Sequence, residues 1–149
     1  MLRTIGCIAA AFLVGASAAT AAGTETYKVS AKLNAGQEIP KQVVKAPNAT
    51  GTFSGSYVEH GKTAKLTWKL TYSGLSGKAT AAHIHLGKAG VAGNVLVPLC
   101  AANCRSGMTG SATIKASVVK ALEAGKTYVN VHTAKNPAGE IRGQVKVKG

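Results

Sequence analysis

The stretch Thr127-Tyr-Val-Asn-Val-His132, the turn Thr133-Ala-Lys-Asn-Pro-Ala-Gly139 and the run Glu140-Ile-Arg-Gly-Gln-Val-Lys-Val147 together decide the fold. Both arms alternate with period two, the pattern of a strand with one buried and one wetted face. Val129 and Val131 share one side against Tyr128, Asn130 and His132, while Ile141, Val145 and Val147 oppose Arg142, Gln144 and Lys146. Asn136-Pro137 and Gly139 supply the turn chemistry between them. The apolar faces coincide only when paired residue numbers sum to an even value, because a one-residue slip would set Val131 among polar partners. In that register His132, Asn130, Arg142 and Glu140 share a polar face.

The same alternation runs outward through most of the chain. Thr26 to Leu33 reads as a strand, and Thr50 to Glu59 with Ala64 to Tyr72 form a hairpin about His60-Gly-Lys-Thr63. His60 sits at that turn as an exposed residue without a role. Ala64, Leu66, Trp68, Leu70 and Tyr72 make the richest apolar face in the chain. Further strands are expected over Ala79 to Leu86, Val95 to Val97 and Thr109 to Ile114, with Pro98 marking an edge or a bulge. One helix is expected from Ala116 to Ala124, with Val118, Val119 and Leu122 as its apolar stripe, Ser117 helping to cap its start and Gly125 ending it. About eight short strands and one short helix predict an all-β domain, a two-sheet sandwich or flattened barrel. Its expected core holds Trp68, Leu66, Leu70, Phe53, Val129, Val131 and Ile141.

Composition sets the outer bounds. With 149 residues, 46% hydrophobic and 15% charged, the chain reads as one globular domain and not as a disordered segment. Met1 to Arg3 is basic, Ile5 to Val14 is apolar and Ala16 to Ala22 is rich in small residues, the pattern of a secretory signal peptide over residues 1–22. The apolar run is too short for a membrane span, which takes ~20 residues. The expected product is a periplasmic or secreted protein whose domain runs over residues 27–148, with Cys7 removed along with the leader. Cys100 and Cys104 then remain, and in an oxidising compartment so close a pair reads as a small local disulfide. A redox pair and two thiolate metal ligands are the other readings of that spacing.

The chain carries 18 basic residues against 5 acidic ones, a net charge of +13, and has no aspartate. Such a protein meets anionic surfaces readily, and the plainer reading is a soluble basic surface; a dedicated site for an anionic cell-surface polymer, lipid headgroups or a protein partner is the other reading. The basic residues form no run and are not interleaved with aromatics, which excludes nucleic acid as the expected partner. Nucleophilic catalysis is disfavoured, because no Ser or Cys lies in an activation motif and no aspartate is present to orient a base.

Histidine supplies the remaining chemistry. His83 and His85, two apart on one strand, project from one face about 6 to 7 Å apart at the backbone. With His132 as a third ligand they would make an all-imidazole site suited to copper or zinc. The competing reading is a metal-free network in which the same rings bond Asn130 and Glu140 and lock two strands together. Convergence of His83, His85 and His132 decides whether a metal reading survives.

Several motifs together resemble the chordin-like, or CHRD, domain: Leu33-x-x-Gly36-x-Glu38-x-Pro40, Ala82-His-Ile-His85 before a glycine-rich loop, Leu122-x-x-Gly125-x-x-Tyr128-Val-Asn-Val-His132, and Asn136-Pro-x-Gly139-Glu-Ile-Arg142-Gly-Gln. That resemblance implies an exported, immunoglobulin-like all-β module that acts by binding an undefined ligand, without catalysis. The chain departs from the family's commoner His-x-His-Gly-Pro pattern, having Leu86-Gly87-Lys88 there. A weaker similarity, to copper-zinc superoxide dismutase, rests on the His-x-His strand, the later Val131-His132 and an arginine. It implies His83, His85 and His132 as ligands and Arg142 as an anion guide, although no bridging histidine or aspartate is present. The alternative function is therefore a periplasmic copper-binding protein, with superoxide handling as its furthest extension.

Overall fold

A computed structural model describes residues 25–149. The signal peptide expected over residues 1–22, with Cys7, lies outside the described residues. The elements are β1 (Thr26–Asn34), β2 (Thr50–His60), β3 (Thr63–Ser73), β4 (Ala79–Leu86), β5 (Val95–Cys100), β6 (Met108–Lys115), α1 (Ala116–Glu123), β7 (Thr127–Thr133), β8 (Ile141–Gln144) and β9 (Lys146–Lys148). A short 3₁₀ turn, Ala35–Gln37, follows β1.

The strands form one antiparallel sheet in the order β5-β4-β7-β8-β1-β2-β3-β6, with β9 also paired to β1. Its two edge strands, β5 and β6, approach each other, so the sheet curls into a nearly closed barrel. Inward side chains of β2 and β3, among them Phe53, Leu66 and Leu70, share one core with Ile84, Val129, Val131 and Ile141 from β4, β7 and β8. Trp68 belongs to that core at 6% exposure. Its neighbour on β6 is Gly110, and a Cβ added there would lie 2.4 Å from the indole. A strand glycine here makes room for the largest side chain of the core.

The β7–β8 register pairs Val131 with Ile141, Asn130 with Arg142 and Tyr128 with Gln144, the even-sum pairing. The expectation of a wetted outer face fails, however. Tyr128, Asn130 and Arg142 are at most 3% exposed. Segments remote in sequence roof this face. Gln42 donates to the Glu140 carbonyl, Asn136 exchanges hydrogen bonds with the Val44 backbone, and Arg142 donates to the carbonyls of Lys88 and Val91. Strand alternation reports which chemistry faces which way, whereas water access depends on what crosses above.

Other local readings meet the structure in detail. Pro98 lies on edge strand β5, opposite His83 and between two register shifts. Val118, Val119 and Leu122 are buried as α1 packs on β3, β6 and β9. Ser117 does not cap α1: the N-cap position is Lys115, which makes no side-chain bond, and the Ala116 N–H instead donates to the Lys62 carbonyl. That carbonyl comes from the β2–β3 turn, so tertiary contact replaces the local cap. Cys100 and Cys104 form a disulfide with Cα atoms 5.8 Å apart. Among the described residues no helix is long and apolar enough to cross a membrane.

Candidate metal centre

Two adjacent strands build the site. His83 and His85 lie two apart on β4 and therefore share its outer face. β7 pairs antiparallel with β4, setting Tyr128 opposite His85, Asn130 opposite His83 and His132 opposite Ala81. Residues directly opposite share a face, so His132 joins the two β4 histidines. Ring centroids lie 5.4 Å apart for His83 and His85, 5.0 Å for His83 and His132, and 5.9 Å for His85 and His132. One nitrogen from each ring lies within 4.8 Å of the others, and among the described residues this is the one group of three or more candidate ligands.

Two of the three rings are oriented by backbone carbonyls. His85 Nδ1 lies 2.9 Å from the Gly93 oxygen, and His132 Nδ1 lies 2.9 Å from the Pro137 oxygen. A carbonyl only accepts, so each Nδ1 carries the hydrogen and each neutral ring keeps its lone pair on Nε2. The His132 Nε2 lone pair faces His83 Nδ1 at 3.2 Å. His85 Nε2 is buried without a hydrogen-bond partner. Burial, then the neighbouring His132 and His85, pushes His83 down to about 4. Burial likewise lowers His85 and His132, against the raising effect of their carbonyl partners. The lowered values favour neutral rings at pH 7, with the His132 Nε2 lone pair accepting from His83 Nδ1 and the His85 Nε2 lone pair unengaged.

A stack of rings extends the site across the sheet. The Tyr128 ring lies nearly parallel to His85, 7° apart with centroids at 4.9 Å, and the Arg142 guanidinium carbon sits 3.4 Å from the Tyr128 centroid. Because β7 runs between β4 and β8, Tyr128 is sandwiched between His85 and Arg142. One Arg142 nitrogen donates to the carbonyls of Lys88 and Val91 and to Gln144. At 1% exposure, Arg142 is part of the roofed layer and presents no cation to solvent.

Asn130 and Glu140 stand apart from the histidines. Asn130 donates to the Glu38 carboxylate at 2.6 Å. Glu140 accepts from the Ser76 N–H and hydroxyl, the Thr133 hydroxyl and the Asn136 amide, tying the β3–β4 loop to the β7–β8 turn. The polar network expected to involve the histidines is thus two separate clusters, and neither contains an imidazole. Glu38, in the stretch Leu33-x-x-Gly36-x-Glu38-x-Pro40, carries no sequence signal of the role it has in the fold. It is fully buried, and that burial pushes its carboxyl up to about 7 against the opposing pull of Ile39 N–H, Arg142 and Asn130. The carbonyls of Gly93 and Pro137 have no side-chain signature, so only the folded loops disclose them.

A nearly closed antiparallel barrel with a loop-roofed outer face and a disulfide defines an all-β module. The CHRD domain model matches residues 29–145, most of the chain, and the protein belongs to the CHRD family. CHRD domains are typically extracellular, a setting in which the Cys100–Cys104 bond persists. No curated protein and no solved structure matches the chain.

Proposed function

We propose that the protein is an exported binding module that holds one transition-metal ion, copper in preference to zinc, between His83, His85 and His132. The observation that carries this reading is the convergence of three imidazole nitrogens within 4.8 Å of one another. Metal–nitrogen bonds of ~2.0–2.1 Å at tetrahedral or trigonal angles require nitrogens roughly 3.3–3.6 Å apart. The His83–His132 pair, at 3.2 Å, is already near that separation once its shared hydrogen shifts to His83 Nε2, and the widest pair, at up to 4.8 Å, needs to close by roughly 1.2–1.5 Å. Carbonyl partners on the far nitrogens of His85 and His132 are the usual outer support of metal-bound imidazole. Three neutral nitrogens without thiolate or carboxylate suit copper and zinc, and among divalent ions such a site ranks copper highest.

Export is supported by the composition of residues 1–22 and by the disulfide. The reading stops at binding. Arg142, the group that would draw in superoxide, is turned into the covering loop.

The test is copper loading followed by dialysis against a weak chelator. Close to one copper per chain is expected to remain, with an electron paramagnetic resonance spectrum showing nitrogen coupling, and His132→Ala should lose it. Copper retained equally by the parent and by a triple His83→Ala, His85→Ala, His132→Ala variant would place the ion elsewhere and overturn the site. No retention by the parent would leave the His83–His132 hydrogen bond as the histidines' role.

A further inference from the structure

Lysines that lie far apart in sequence are gathered by strand register onto one surface. Across β1, β2, β3 and β6, one row of outward residues reads Lys28, Ser56, Thr67, Ser111, and the next reads Ser30, Ser54, Lys69, Thr109. β9 extends both rows, placing Lys148 beside Lys28 and Lys146 beside Ser30. Lys32, Lys65 and Lys115 stand on the same side, and each of these lysines is exposed. Seven of the chain's fifteen lysines therefore share a face whose other members are mostly serine and threonine.

No carboxylate stands in these rows. Glu38 and Glu140 are buried, and Glu25 and Glu123 bond the hydroxyls of Tyr27 and Tyr57. Glu59 is exposed at the end of β2 but pairs with Ala64 and so stands on the side opposite the lysines. Two adjoining grooves, of about 590 and 520 Å³, cross this surface, and Lys32 and Thr52 line both. The first also takes in Ser30, Ser54, Lys146 and Lys148.

Lysines four residues apart on a strand stand ~13 Å apart, and neighbouring strands add steps of ~4.8 Å. The spaces between are filled with hydroxyls, including the bonded pair Thr52 and Thr71 at 2.6 Å. Spaced cations among hydroxyl donors and acceptors complement a polymer with spaced anions among hydroxyls. The two central rows carry no aromatic ring, and the lone His60 at the end of the Lys115 row is too little to make a stacking track for bases. The exposed large apolar residues, Val43, Val44, Leu86, Val91 and Val95, all lie elsewhere, so nothing on this face inserts into a bilayer. We propose that the outer face of β1, β2, β3, β6 and β9 binds an acidic polysaccharide, lysines meeting its anionic groups and serine and threonine its hydroxyls.

This surface uses strands other than those bearing the histidines, so its test stands apart from the metal reading. Polygalacturonate is titrated into the metal-free protein by calorimetry at several salt concentrations, with neutral dextran, duplex DNA and anionic vesicles as comparators. The variant Lys28→Gln, Lys32→Gln, Lys69→Gln is set against Lys62→Gln, Lys78→Gln, Lys135→Gln, which removes the same charge from other exposed positions. The face variant should weaken polygalacturonate binding by about tenfold or more and flatten the salt dependence by about two in log–log slope, with the control changed by less than about twofold. Equal losses in both variants, or no binding by the parent at low salt, would overturn the proposal. DNA or vesicles bound as tightly as polygalacturonate at matched charge would overturn its assignment to a polysaccharide.

Discussion

Glu38 and Glu140 are both buried carboxylates, yet their surroundings push them in opposite directions. Burial raises Glu38 to about 7, because its hydrogen bonds do not make up for lost water. Glu140 is buried too, but hydrogen bonds from Ser76, Thr133 and Asn136 outweigh that cost and hold it below its ordinary value. A folded-state value raised above 4.5 means that the Glu38 contribution to stability is complete below pH 4.5 and lost as pH rises to 7. For Glu140 the contribution is present above 4.5 and is lost as pH falls through the lowered folded value. Glu38→Gln removes only the first dependence. Measured by urea midpoints, the variant should gain on the parent between pH 4.5 and pH 7, and a difference that stays constant with pH would contradict this account. The histidines were legible at this scale because His-x-His on an alternating strand puts two rings on one side. Glu38 was not, since its burial depends on a loop that folds over β7 and β8 from a hundred residues away in sequence.

Elements were legible where one face of a strand was consistently apolar. Leu66, Trp68 and Leu70 are buried by the same alternation that identifies β3 from sequence, and the even-sum register of β7 with β8 follows from matching valines to isoleucine. What stayed hidden were the replacements supplied by neighbours: the Lys62 carbonyl in place of a Ser117 cap, and Gly110 as the space beneath the indole. Two opposite changes probe that packing. Trp68→Ala should cost ~3–5 kcal/mol by leaving a cavity. Gly110→Ala should cost ~1–3 kcal/mol by overpacking, despite reducing the backbone freedom of the unfolded chain. Denaturant unfolding of both variants checks the pair, and a neutral Gly110→Ala would show that the indole has room to move.

For the molecule as a whole, the one-sheet barrel was legible only as the looser of two expected forms, since strand count and alternation do not say whether edges meet. The basic face was hidden for the same reason: Lys28 and Lys148 become neighbours, and Lys69 joins their face, only through register. The disulfide was legible from spacing, and its ring closes only a four-residue separation. Such a ring stabilises by ~2 kcal/mol in the chain-entropy account. The double variant Cys100→Ser, Cys104→Ser should therefore stay folded with a modestly lower Tm, checked by thermal melting. Loss of the folded baseline at 25 °C would show that the loop holds the β5 and β6 edges together.

The place of β1 in the sheet carries a kinetic consequence. One side of β1 pairs with β2, but the other waits for β8 and β9, at the far end of the chain. Contacts of such long sequence separation slow folding towards milliseconds to seconds, since the loop must be ordered before the pairing rewards it. A chain threaded outward from its amino end would expose β1 and the β2–β3 hairpin well before their partners arrived. The β5-β4-β7-β8 half of the sheet is joined to the β1-β2-β3-β6 half only through β8, so the sheet is completed late in chain order.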